Sequence, residues 1–308
     1  MKNVSDEMSE LMKKKNLNQN YQQLMNSVYS DPDVKQFLKE HKKELSDDVV
    51  KRSASKLYEF VNEKKKLKDG NENFAKGYQP TLVLSDHLID VSYRPTQALI
   101  NKQKQEQFAS RIKSISMPKG IKKASLSNYD QTADRAEALE KSLDFIESYE
   151  DNPKQFQQAL YLYGPFGVGK TYLLGAIANR LASDGFSTVL IHFPSFAVEI
   201  KNAIGNNQVG GKLDEIKTAP ILMIDDIGAD SMSSWIRDDI LGVILEYRMQ
   251  NELPTFFSSN FSMDQLEEEH LKINSQGDDE PLKAKRLMER IKFLSRPVEL
   301  NGRNRRNK

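Results

Sequence analysis

The chain has 308 residues, 38% hydrophobic and 29% charged, with a formal net charge of +1 and no cysteine. That length suggests two domains, at least one of them with a sizeable core, while the lack of cysteine excludes disulfides and thiolate metal sites. No run approaches the roughly 18 apolar residues a membrane-spanning helix needs, and near-neutral charge confines any nucleic-acid contact to local basic patches.

The N-terminus, MKNVSDEMSELMKKK, has no apolar stretch of the secretory type, so a soluble, cytoplasmic protein is expected. Residues up to about 66 read as helices. In DPDVKQFLKEHKKEL, Val34, Phe37 and Leu38 fall on one helical face, with Leu45 extending it. Ser46 is placed to cap a next helix, SDDVVKRSASKLYEFVNEKKK, whose apolar face is Val50, Leu57, Phe60 and Val61. Two strand-like runs follow, 81–84 and 88–93. From Pro95 to about Gly120 the chain turns polar and basic, which places a linker at 101–125 between an N-terminal domain over 1–100 and a larger domain over 126–308.

Beyond the linker, strand and helix patterns alternate. Apolar runs at 159–163, 187–193, 220–224, 254–258 and 297–300 predict five strands, and continuous runs such as PILMI suit a parallel sheet covered on both faces. The first of these strands runs straight into GPFGVGKT, and a helix follows directly. That context makes Gly164, Pro165, Gly167, Val168, Gly169, Lys170, Thr171 and Tyr172 a candidate phosphate loop, with backbone N–H groups and a helix N-terminus around the anion. Lys170 can reach the β- and γ-phosphates, and Thr171 can ligate Mg²⁺. The implied cofactors are ATP and Mg²⁺.

The third strand ends in Asp225-Asp226. Asp225 is the candidate second anchor for Mg²⁺, and Asp226 the candidate group that orients or deprotonates the attacking water, although a Glu would reach further. LPTFFSSN ends its strand at Asn260, whose amide can hydrogen-bond the γ-phosphate or the water. On the helix KAKRLMERIKFL, Arg286 and Arg290 lie four apart and share a face from which an arginine can be presented to a neighbouring subunit's ATP. Phe193 and Phe196 could stack bases but suit core packing better.

GPFGVGKT, IDDIG, SSWIRDDIL, LPTFFSSN and KRLMERI, in that order, resemble the AAA+ ATPases of the bacterial DnaC/DnaI helicase-loader group, strongly over about 105–308 and more weakly over the helical N-terminus. The resemblance implies an α/β AAA+ P-loop domain with a mostly parallel five-stranded sheet, preceded by a small, mainly helical domain that grips the helicase. It implies Asp225 and Asp226 as the Walker B pair, Asn260 as sensor 1 and Arg290, with Arg286, as the arginine-finger segment. VELNGRNRRNK is similar to the group's sensor 2 ending, which assigns Arg306 or Arg303 to that role. The implied activity is ATP-controlled loading of a replicative hexameric helicase onto single-stranded DNA, with weak, assembly-dependent hydrolysis. Other primosome or initiator proteins and self-association through the AAA+ domain are implied too.

Lys102, Lys104, Arg111, Lys113, Lys119, Lys122 and Lys123 make a local basic stretch compatible with DNA. The group's N-terminal zinc site, built from Cys and His, is not expected, because this chain has His87 in that region and no cysteine. Phe74, Tyr78, Leu82, Leu84, Leu88 and Tyr93 would then hold that domain by packing alone. Two alternatives remain: a transposition helper ATPase of the IstB type, which shares the core motifs but not so long an N-terminal domain, and a nucleotide-gated adaptor with little hydrolysis.

Overall fold

The computed structural model describes residues 19–70, 75–206, 208–229, 232–272 and 280–305. The chain divides into two compact units, Met1–Gln105 and Glu106–Lys308. Among the described residues no helix is long and apolar enough to cross a membrane.

In the first unit, residues 19–30 are helical, and the helices Pro32–Glu40, Asp47–Arg52 and Ala54–Lys68 follow. Asp31 starts the first of these three: its carboxylate accepts the N–H groups of Asp33 at 2.9 Å and Val34 at 3.4 Å, satisfying donors that have no partner within the helix. Ser46 caps the next by accepting from the Val49 N–H at 3.4 Å. The single helix expected beyond Ser46 is in fact two. It breaks at Ser53, whose buried hydroxyl instead accepts the Ile89 N–H of the adjoining hairpin at 3.0 Å. That hairpin, β1 (Tyr78–Ser85) and β2 (Leu88–Pro95), is antiparallel and closes through Asp86 and His87. Their φ values of 48° and 62° are the left-handed pair that a two-residue hairpin turn demands. Val28, Val34, Leu57, Phe60, Leu82 and Ile89 form the core of this unit. Phe74 lies outside the described residues.

The second unit is built on one sheet of six strands: β3 (Ile112–Ile115), β4 (Ala159–Tyr163), β5 (Thr188–His192), β6 (Ile221–Asp225), β7 (Thr255–Ser259) and β8 (Ser295–Glu299). Their order is β3-β5-β6-β7-β4-β8, and every neighbouring pair is parallel. The five strands expected are present, and the count of five is corrected by β3. This strand lies inside the segment 101–125 assigned to a linker, where RIKSI has no apolar run because an edge strand only partly buried needs none. The same segment continues into a 3₁₀ turn, Lys119–Lys123, whose buried Ile121 packs against Gly175 of the helix Lys170–Ser183.

Alternate side chains of the central strands enter two cores. Tyr161, Leu222, Ile224 and Phe257 join one; Leu160, Leu162, Met223 and Phe256 join the other. Both faces are covered, which is why these strands read as unbroken apolar runs. Phe193 and Phe196 are core residues, only 3% and 1% exposed.

Candidate nucleotide-binding site

The strand register brings the chemistry together. Tyr163 at the end of β4 pairs with Ser259 at the end of β7, and His192 at the end of β5 pairs with Asp225 at the end of β6. The chain therefore leaves the sheet at Gly164, Asp226 and Asn260 along a common edge. β4 lies between β7 and β8 rather than beside β5, and this change of strand order opens a crevice at the carboxyl ends of the strands.

Gly164 takes φ of 144° and has the Leu300 carbonyl so close that a Cβ would overlap it. Gly169, at φ of 105°, caps the helix Lys170–Ser183 and points that helix's unpaired N–H groups into the loop. Val168 contributes backbone only, since its side chain is in the core. Tyr172 hydrogen-bonds Ser125 through its hydroxyl and lies alongside Tyr129. Lys170 is buried, and its ammonium donates to the carbonyls of Gly164 at 2.7 Å and Pro165 at 2.8 Å and to Oδ1 of Asn260 at 2.8 Å. A buried charge needs such acceptors.

Thr171 Oγ1 lies 2.9 and 3.1 Å from the two carboxylate oxygens of Asp225, and Ser258 Oγ donates to the same carboxylate at 2.5 Å. Burial pushes the Asp225 carboxyl above its ordinary pKa, a rise that Ser258 and Thr171 oppose and the Asp226 charge augments. A hydroxyl and a desolvated carboxylate side by side form a donor set suited to a hard divalent cation. Asp226 sits at φ of 64°, with its N–H on Ser258 Oγ at 3.0 Å. Its carboxylate meets Asn260 Nδ2 at 3.3 Å and His192 Nε2 at 3.6 Å. Lys170, Asn260 and Asp226 thus form a chain across the site.

These groups line a cleft of about 590 Å³, together with Pro118, Tyr129, Arg135, Phe166 and Arg305. The cradle of left-handed glycines and the buried hydroxyl–carboxylate pair fit a nucleotide phosphate with Mg²⁺. Arg286 and Arg290 are not brought to this cleft. Arg290 donates to the Gly242 carbonyl at 2.9 Å and pairs with Glu246 at 3.1 Å, while Arg286 is exposed. Arg306 lies outside the described residues. Its neighbour Arg305 lines the cleft, its N–H bonded to the Gly167 carbonyl at 2.9 Å and its side chain paired with Asp130 at 2.5 Å.

Four residues here escape a reading of motifs: His192, Ser258, Arg135 and Arg305. Only Ser258 left a signal, a polar residue in an apolar strand two positions before Asn260.

A phosphate loop, an acidic strand end and an amide strand end on neighbouring parallel strands define an ATP-binding protein of the AAA+ class. Comparison with known proteins narrows that class. Residues 1–93 match the family model of the primosomal protein DnaI N-terminus, and residues 90–308 match that of the IstB-like ATP binding proteins. The replicative helicase loader DnaI of Bacillus subtilis is 40% identical over 294 residues, 93% of each chain. A crystal structure of DnaI is 45% identical, with a TM-score of 0.57, over 65% of this chain and 99% of its own. The crystal structure of a putative primosome component from Streptococcus pyogenes is 44% identical, with a TM-score of 0.55, over 66% of this chain and all of its own. The chain belongs to the DnaI family of replicative helicase loaders.

Proposed function

We propose that the chain binds ATP with Mg²⁺ in this cleft and uses the bound nucleotide to control loading of a DnaB-type replicative hexameric helicase onto single-stranded DNA. The observation that carries this reading is the convergence of Lys170, Thr171, Asp225, Asp226 and Asn260 on one crevice in a chain 40% identical to a helicase loader over nearly its whole length. Lys170 and the loop N–H groups hold the phosphates. Thr171 and Asp225 hold the metal, and Asp226, oriented by Asn260, positions the attacking water. Bound Mg²⁺ neutralises charge on the phosphates when present.

Hydrolysis is weak until assembly, because neither Arg286 nor Arg290 lines the cleft of its own chain and a finger must come from a neighbouring copy. The first unit binds the helicase, the basic residues between Lys102 and Lys123 contact single-stranded DNA, and other primosome or initiator proteins direct the complex. The match of residues 1–93 to the DnaI N-terminus favours this reading over a transposition helper. Capture of the purified replicative helicase tests it: the full chain should retain the helicase hexamer, and a chain lacking residues 1–100 should not. Failure of the full chain to bind would refute the loader reading.

A further inference from the structure

We propose that Arg135 is a second cationic ligand for the nucleotide's phosphates, acting with Lys170. The inference rests on the ATP-binding reading above and adds to it a residue outside every motif.

Arg135 sits in the first turn of the helix Ala133–Asp151, where the helix dipole disfavours a cation. Its guanidinium extends to the phosphate loop, with one terminal nitrogen 2.8 Å from where a Cβ on Gly169 would be. Gly169 caps the helix Lys170–Ser183, so the same positive group also faces that helix's N-terminus. The residue is only 2% exposed, yet its Nε has no hydrogen-bond partner. Its remaining contacts are neutral groups: one nitrogen donates to the Asp130 carbonyl at 3.2 Å, and the guanidinium lies 3.7 Å over the Tyr129 ring. The Asp130 carboxylate is engaged by Arg305.

A desolvated cation held against two positive helix ends, with no carboxylate paired to it among the described residues, is only partly compensated in the empty fold. An entering anion completes the compensation. Tyr129 holds the guanidinium in place, and its planar fork suits phosphate oxygens. Arg135 lines the same cleft as Lys170 and Thr171.

The test uses the full-length chain as wild type, Arg135→Gln, Arg135→Lys and Lys170→Ala, with calorimetric binding of ATP, ADP and adenosine and melting curves with and without ATP. Arg135→Gln should weaken ATP and ADP binding by about tenfold or more and leave adenosine binding unchanged. Arg135→Lys should recover part of the loss. The unliganded melting temperature of Arg135→Gln should equal or exceed that of wild type, because a partly compensated charge has gone, while the rise on adding ATP should shrink. Unchanged ATP affinity would overturn the proposal. So would an unliganded chain that melts earlier or fails to fold, since either marks a structural arginine. If wild type and Lys170→Ala show the same ATP affinity, the phosphate-loop reading itself is what fails.

Discussion

Asn260→Ala separates the two duties of the cleft. Asn260 accepts from Lys170 at 2.8 Å and donates to Asp226 at 3.3 Å, so its removal should push binding and turnover in different directions. A hydrogen bond to a charged group is worth about 1.5–3 kcal/mol net. Lys170 keeps the carbonyls of Gly164 and Pro165, so only part of that energy is released toward a phosphate. ATP affinity should stay level or tighten by at most about tenfold, equivalent to ~1.4 kcal/mol. Asp226 is left with the His192 contact at 3.6 Å as its side-chain neighbour and loses its orientation. Turnover at saturating ATP, with helicase and single-stranded DNA present, should fall about a hundredfold, the low end of what a positioned acid–base group contributes. Fluorescent-nucleotide titration and steady-state phosphate release measure the two quantities on one preparation. ATP affinity weakened well beyond tenfold, with turnover of the bound nucleotide unchanged, would contradict this division of roles.

Arg290→Ala should leave ATP binding by the isolated chain intact and lower assembly-stimulated turnover by about a thousandfold. Its pair with half-exposed Glu246 contributes little, so the stability change in thermal unfolding should come mainly from the lost bond to the Gly242 carbonyl, about 1.5–3 kcal/mol. Unchanged stimulated turnover would return the arginine to a purely structural contact. In the first unit, burial pushes the Asp31 carboxyl up, but Lys64 and the Asp33 and Val34 N–H groups outweigh it and hold it below the usual carboxylate range. The folded pKa is depressed, so this stabilisation is present above the unfolded value of about 3.9 and is lost as pH falls through the folded one. Asp31→Asn, which keeps the cap but gives up the ion pair at 2.8 Å, should therefore be less stable than wild type at neutral pH and converge on it in acid. Asp31→Ala should lose about 1 kcal/mol more through the missing cap. Urea unfolding followed by circular dichroism at both pH values checks this, and a gap that persists in acid would contradict it.

The sheet's buried strands were legible because burial on both faces writes itself as PILMI or ALYLY. β3 was not, since IKSI at a sheet edge carries two polar residues and follows a basic helix. The break at Ser53 was hidden for a related reason: its cause is a hydrogen bond to Ile89, 36 positions away. Within the cleft, Lys170 and Thr171 were readable because phosphate chemistry demands a fixed spacing, and Asp225 because an apolar strand ends in it. His192 and Arg135 arrive by topology alone, one through the register of β5 on β6 and the other from a helix that precedes the phosphate loop in the chain. No local pattern announces either.

On the function proposed above, nucleotide held by Lys170 governs helicase loading. Unwinding by the replicative helicase on a forked substrate whose single strand is pre-coated with binding protein, so that loading limits the rate, tests it most directly. Wild-type chain with ATP should stimulate unwinding, while Lys170→Ala should bind the helicase through its intact first unit but not stimulate. Equal stimulation by Lys170→Ala, or by wild type without nucleotide, would contradict it.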